Sequence, residues 1–447
     1  MATFAPAGTA AIPPALARSG GPDAPLPRVG RARRRRGNVL QEGDRRRSVM
    51  PPDSPARMPW GFVAWLSIAQ VISWGAIYYS FTLFIDPMMG ELGWNKPALT
   101  AAFSLGLVAS ALAAMPVGRL IDLGHGRLVM TAGSVAAALL FAAWSRVDSY
   151  PAFVAIWIGL GICLAATLYE PGFAVLTRRL GPLSRRGITA MTFLGGFAST
   201  VFIPLTHLFI ATLGWRDALL ALAAFNLFVC AAIHLLVIRD EAPAKTGGAP
   251  QAANPSTARR VLPHPAFWGF VGVAVLHSAL FTGITVHLIP LLTERGYSIA
   301  TAVAAFTVFG PAQVAARLVI AAGERAITMK AIGVATTALP VAAFGALWAL
   351  PPGSWLIFPT VALMGAANGM MTILRAVLPA EIFGRADYGA IQGMISAPAT
   401  FSKAAGPFLF AAVWAIWGGY GGVLGIAVAL AAASFACFAL AVLPSKT

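Results

Sequence analysis

Twelve apolar runs recur along this chain, each long enough to cross a bilayer as a helix. They fall at about 60–85, 98–118, 128–146, 152–177, 188–212, 216–238, 266–292, 299–322, 328–349, 354–377, 388–414 and 419–443. A helical span needs about 20 predominantly apolar residues. No water reaches the hydrocarbon to satisfy backbone N–H and C=O groups, so each run must bond within itself as a helix. The pattern therefore predicts an all-α integral membrane protein with twelve transmembrane helices. Composition agrees: 58% of residues are apolar and 11% are charged, against about 25% charged in soluble domains, and mean hydropathy is +0.75.

The charges set the expected orientation. The net charge of +16 does not point to nucleic acid, because 11 of the 32 basic residues precede Met58 and most of the others sit in alternate loops. Arg119 and Arg127, Arg178, Arg179, Arg185 and Arg186, then Arg239, Lys245, Arg259 and Arg260 follow runs 2, 4 and 6. Arg325 and Lys330 follow run 8, and Arg385 follows run 10. The opposite loops carry only Lys96, Arg146, Arg216 and Arg295. Short loops rich in Lys and Arg stay cytoplasmic, which predicts both termini on that side. The high ratio of Arg to Lys suggests a GC-rich bacterial genome and hence an inner membrane.

Residues 1–58 hold the runs Arg33–Arg36 and Arg45–Arg47 and almost no large apolar side chain. Such a segment cannot bury enough surface to fold. It is expected to be a disordered basic tail or an over-extended start, with Met50 or Met58 as alternatives; a tether to anionic lipid is the functional reading. No short apolar region with a cleavage site follows it, so the first span serves as its own signal-anchor. The polar interval 239–263 divides the runs six and six and reads as a linker. The expected organisation is thus a tail at 1–58, a six-helix bundle at 59–238, the linker, and a second six-helix bundle at 264–447. An internal repeat supports two related halves: Gly118-Arg-Leu-Ile precedes Arg127 at the spacing with which Ala316-Arg-Leu-Val precedes Arg325. Two similar six-helix halves are a transporter architecture, with a site between them near mid-membrane.

The most distinctive polar segment is Gly118-Arg-Leu-Ile-Asp-Leu-Gly-His-Gly-Arg127, a short turn between two apolar runs. Its glycines permit a sharp reversal, and its acid and base can bridge or cap. It resembles the loop between helices 2 and 3 of the major facilitator superfamily, whose pattern is Gly-x-Leu-x-Asp-(Arg)-x-Gly-(basic)-(basic). Gly118, Leu120, Asp122 and Arg127 match, while Leu123 replaces the usual Arg and His125 the second Gly. The second copy has Ile320 in place of the acid. The resemblance implies that helices 1, 4, 7 and 10 line a central cavity. It also implies that Gly118, Asp122 and Arg127 form a gate that latches against the start of helix 11, near Gly384-Arg385 and Tyr388-Gly389.

Charges within spans are costly and are functional candidates by default. Lys403 lies about 15 residues into run 11, about 22 Å along the helix, too deep to reach either surface. Glu170 precedes Pro171, which cannot donate to the helix ladder and so frees a carbonyl one turn back. It is a candidate proton or cation site, the partner of Lys403, or the partner of Arg178. Arg317 lies close enough to the end of run 8 to snorkel. A branch of the family that this chain resembles, the monocarboxylate transporters and oxalate:formate antiporters, holds a substrate carboxylate with an Arg on helix 8 and, in the antiporters, a Lys on helix 11. Arg317 and Lys403 fall on those helices, and Arg's planar fork suits a carboxylate.

Gln70, Trp74 and Tyr78 recur at four-residue spacing and share a helical face. His277, a second candidate for proton coupling, and Asn368 lie near mid-depth of runs 7 and 10. These five residues are candidates to line a substrate site, although each singly also suits a helix-packing contact. Cys163, Cys230 and Cys437 form neither a disulfide pattern nor a metal-ligand set. The chain lacks a nucleotide-binding loop, HExxH and GxSxG, so neither nucleotide hydrolysis nor a familiar hydrolase is encoded, and no enzyme activity, cofactor or metal is expected.

Taken together, the residues and the resemblance predict a secondary transporter that moves a small organic anion, a carboxylate, and that is driven by proton coupling or exchange. It is expected to act as a monomer in a lipid bilayer, with no nucleic-acid partner. The alternatives are an efflux pump for a drug-like or metalloid toxicant, for which Cys163 and Cys230 are the residues to test, and a membrane sensor that binds without translocating.

Overall fold

The computed structural model describes residues 57–239, 259, 261–323, 326–383 and 388–442. The expected tail and nearly all of the linker lie outside them, as do Arg325 and Arg385. Among the described residues every regular element is helical. Eleven continuous helices are long and apolar enough to cross a membrane, and one of these, 49 residues long, contains two spans. It bends at Gly124, whose φ of 98° is left-handed, a conformation that glycine adopts at no steric cost. Counting it as two gives the twelve spans read from the sequence.

The first half comprises α1 (Trp60–Leu92), α2 (Lys96–Leu120), α3 (Gly126–Trp144), α4 (Tyr150–Leu180), α5 (Ser184–Leu213) and α6 (Trp215–Val237). The second comprises α7 (Pro265–Glu294), α8 (Ile299–Ala322), α9 (Met329–Ala349), α10 (Ile357–Phe383), α11 (Tyr388–Trp417) and α12 (Tyr420–Val442). The first apolar run ends at about 85 in the sequence, yet α1 continues to Leu92. It stops where Gly93 takes a φ of 69°, the usual left-handed helix end.

Lipid tails give no hydrophobic drive for helices to associate, so close backbone approach at small residues matters more. The same helix pairs use it in both halves. A Cβ placed on Gly161 of α4 would clash with the carbonyl oxygen of Gly106 on α2. In the second half, Cβ atoms on Gly365 and Gly369 of α10 would clash with the carbonyl oxygens of Phe309 and Gln313 on α8. This shared use of small residues fits two pseudo-symmetric six-helix bundles. Large rings fill the remaining core of the first half, where Trp144 and Trp157 are fully buried with Phe81, Phe103 and Phe153.

The halves meet along α5 and α8, where Thr200 Oγ1 donates to the carbonyl of Thr307 at 3.1 Å. They also meet at the face opposite the basic loops. There Lys96, at the start of α2, is buried (4% exposed). Its ammonium lies 4.1 Å from the Trp414 ring centroid, 4.7 Å from that of Tyr420, and 3.9 Å from Glu294. Glu294 is held in turn by Trp414 Nε1 at 2.7 Å and by the Tyr420 backbone N–H at 3.0 Å. Read in the sequence as one isolated loop base, Lys96 is instead a tie between the halves.

Candidate functional site

Two helices that line the interior are irregular at the same depth. In α1, residues Trp74–Tyr79 form a π-helical turn, a departure frequent at functional sites. In α4 the helix breaks at Leu168, whose ψ of −154° is extended, and restarts at Tyr169. Pro171 then falls in the first turn of the new segment, where a proline is tolerated. The carbonyl that Pro171 leaves free is that of Thr167. Gln70 answers it: its Nε2 donates to Thr167 O at 2.7 Å and to Leu168 O at 3.1 Å. Gln70 is fully buried and does not line the cavity, so the structure places it as a support of the α4 break and not beside a ligand.

The break lets α4 turn Tyr169, Glu170 and Phe173 toward a central cavity of two lobes. The larger lobe, about 460 Å³, lies between those residues and His277, Phe281, Asn368 and Arg317. The smaller lobe, about 320 Å³, runs beside Gly118 and Ile121 at the end of α2. Trp74, Tyr78, Glu170, Arg375 and Lys403 line both. Lining residues such as Gly118, Ile121 and Gln392 extend the cavity toward the basic loops, while the Lys96 tie lies at the other face. Besides helices 1, 4, 7 and 10, the cavity takes lining residues from α2, α5, α8 and α11.

Lys403 stands midway along α11, half-buried. Its ammonium lies 5.5 Å from the ring centroids of both Trp74 and Tyr78. Cations over aromatic faces gain about 0.5–2 kcal/mol. Among the described residues no carboxylate lies within 4.0 Å of it. Glu170 is exposed within the cavity and likewise makes no ion pair with a described residue. The pairings of Glu170 with Lys403 and with Arg178 are therefore both absent here, and Arg178 Nη1 donates to the Asp122 carbonyl at 2.7 Å.

Arg317 does not snorkel. Its Nη1 donates to Thr192 O of α5 at 3.0 Å and its Nε to Gly369 O of α10 at 3.3 Å, so it fastens the two halves while facing the larger lobe. Those acceptors are neutral and leave its charge in the cavity. His277 is buried and stacks on Phe281 with ring centroids 4.1 Å apart. Asn368 Nδ2 donates to Gln313 Oε1 at 3.1 Å across α8 and α10. Asp122 is exposed and Arg127 half-buried. The start of helix 11 that they are expected to meet lies partly outside the described residues. Cys163 and Cys230 are buried away from the cavity.

Arg375, Phe173, Gln313 and Gln392 also line the cavity, although nothing in the sequence singles them out. The apolar run ends near 377, whereas α10 continues to Phe383 and so carries Arg375 within the helix. Its Nη2 reaches Ser396 Oγ on α11 at 3.4 Å.

Comparison with known proteins agrees with this architecture. Residues 66–341, well over half of the chain, match the family described as Major Facilitator Superfamily, and the chain belongs to that family. A curated human relative, monocarboxylate transporter 11, is 28% identical over 267 residues. That match covers 56% of this chain and 53% of the relative, so it spans about half of the relative's length. Among solved structures, a mutant of the nucleoside transporter NupG superposes with a TM-score of 0.71 at 14% identity, covering 85% of this chain and 98% of that one. A bacterial homologue of the human lysosomal transporter Spinster gives a TM-score of 0.63 at 13% identity, covering 87% and 96%. The human organic anion transporter MFSD10 gives 0.58 at 18% identity, covering 87% and 100%. At such identities these structures establish the fold alone. The chain is thus an integral membrane protein of that superfamily.

Proposed function

We propose that the protein carries a small organic anion, a carboxylate, across the bilayer by alternating access of its two halves. The observation that carries this reading is Lys403, a cation at mid-helix that faces both lobes with aromatic rings beside it and no described carboxylate within 4.0 Å. A cation held in a low-dielectric interior is costly unless it is compensated, and a substrate carboxylate supplies the missing charge. Arg317 adds positive potential from α8, and Trp74, Tyr78, His277 and Asn368 shape the walls. The partial likeness to a protein named as a monocarboxylate transporter supports the same class.

Glu170 or His277 carries the coupled proton in this reading, unless transport proceeds by exchange. The face with the basic loops is cytoplasmic, so the cavity extends toward the inside, and Gly118, Asp122 and Arg127 close it when the site turns outward. The protein sits in a bacterial inner membrane as a monomer. Cys163 and Cys230 lie outside the lining, so a sulfur-lined metalloid cavity gains no support.

The test is a thermal-shift screen of purified protein against monocarboxylates, dicarboxylates, drugs and arsenicals, repeated with Lys403→Gln. A ligand that binds only the folded state raises its stability by mass action. Stabilisation by a carboxylate that vanishes in the variant is expected, together with loss of anion flux in proteoliposomes. Stabilisation by a neutral or cationic compound that survives the substitution would replace the anion reading with efflux.

A further inference from the structure

The cavity is much larger than a short carboxylate needs, and its walls are unlike a site for one. Its lobes measure about 460 and 320 Å³, within the range of roughly 300–1,000 Å³ typical of sites for drug-sized ligands. Beside the cation the surface is aromatic. Trp74 and Tyr78 meet edge-on at 5.3 Å, Trp74 and Tyr169 lie 5.1 Å apart, and Tyr169 stacks on Phe173 at 5.2 Å with an interplanar angle of 11°. This band runs from Lys403 into the larger lobe, whose opposite side carries the His277–Phe281 stack.

Some polar groups of that lobe are engaged with neighbours, while His277 Nε2, Thr282 Oγ1 and Gln392 Oε1 have no hydrogen-bond partner among the described residues. Asn368 binds Gln313, and Arg317 donates to two carbonyls. The Lys403 ammonium, unpaired among the described residues and standing at the edge of an aromatic chamber, suits an amphipathic anion.

We infer that the substrate is a carboxylate with a bulky apolar or aromatic body. Its carboxylate pairs with Lys403, and its body lies in the larger lobe between the Tyr169–Phe173 and His277–Phe281 pairs. Short anions such as formate, acetate or oxalate satisfy the charge and leave the aromatic walls uncovered, so they bind weakly. This inference rests on the anion reading above and adds the shape and polarity of the rest of the molecule.

The test measures affinities of the purified full chain for acetate, butyrate, hexanoate and phenylacetate, with phenylacetamide and phenethylamine as neutral and cationic counterparts of the aromatic acid. Each fully buried methylene is worth about fourfold in affinity, from a transfer free energy of about 0.8 kcal/mol. Hexanoate and phenylacetate are therefore expected to bind at least about tenfold more tightly than acetate. Phe173→Ala, or Phe281→Leu should that variant fail to fold, is expected to cut the phenylacetate-to-acetate ratio at least about fivefold, as loss of aromatic contact requires. A flat series, or one that favours acetate, overturns the inference and leaves the anion reading standing. Equal binding of phenylacetamide, unchanged by Lys403→Gln, overturns the anion reading and this inference with it.

Discussion

Replacing Gln70 with leucine removes the donor that the broken α4 depends on. In the native protein the amide gives two hydrogen bonds, at 2.7 and 3.1 Å, to carbonyls 97 and 98 residues away. Hydrogen bonds between membrane helices average about 0.6 kcal/mol and reach about 1.7, while a buried group stripped of its partner costs about 1–3 kcal/mol. Gln70 Oε1 is itself buried without a partner, and leucine removes that burden. The balance is a loss of about 1–2 kcal/mol, read as a fall on the order of 2 °C in the melting temperature of the purified protein.

The sharper measurement is a double-mutant cycle with Pro171→Ala. Alanine restores an N–H that can bond the Thr167 carbonyl directly, so Gln70→Leu should cost less in that background. A coupling of at least about 0.5 kcal/mol is expected, above the scatter of independent sites. Strict additivity would show that Gln70 does not compensate for the proline and would refute the account of the break.

Three further outcomes follow from the geometry. Lys96→Met removes the tie to Glu294, Trp414 and Tyr420, and should lengthen distances between spin labels at Ser149→Cys and Pro352→Cys on that face; an unchanged distribution would show that the tie does not hold the halves together. Gly161→Ala drives a Cβ against the Gly106 carbonyl and should cost about 1–3 kcal/mol, whereas Gly345→Ala, with nothing within 4 Å, should be near neutral. Melting curves compare the two, and equal effects would remove the close α2–α4 contact as a source of stability. Asp122→Asn should slow exchange in proteoliposomes more than it weakens equilibrium binding, and a loss of affinity alone would end its assignment as a gate.

The helices were legible because each one declares itself locally. A run of apolar residues must become a helix in hydrocarbon whatever its neighbours do, and most ends fell within a few residues of those expected. The exceptions are α1, which runs on past Asp86 to Leu92, and α10, which runs on from 377 to Phe383; a polar side chain near a helix end can be housed by other helices or by the cavity. The same local logic foresaw a free carbonyl near Pro171 and a deep cation at Lys403.

Sequence thus determined the spans, the halves, the turn at Gly118–Arg127 and the rare charges in the interior, all properties of neighbouring residues. The partner of each polar group was decided only when distant helices packed. Gln70 shares its helical spacing with Trp74 and Tyr78 but bonds to α4, Arg317 engages carbonyls on α5 and α10, and Glu170 and Lys403 face one cavity without pairing. Lys96, an ordinary loop lysine by its neighbours, is buried by Trp414 and Tyr420. Spacing along one helix fixes which residues share a face. What that face meets depends on side chains from other helices, about a hundred residues or more away in the cases of Gln70 and Lys96, and the sequence of a single helix does not record them.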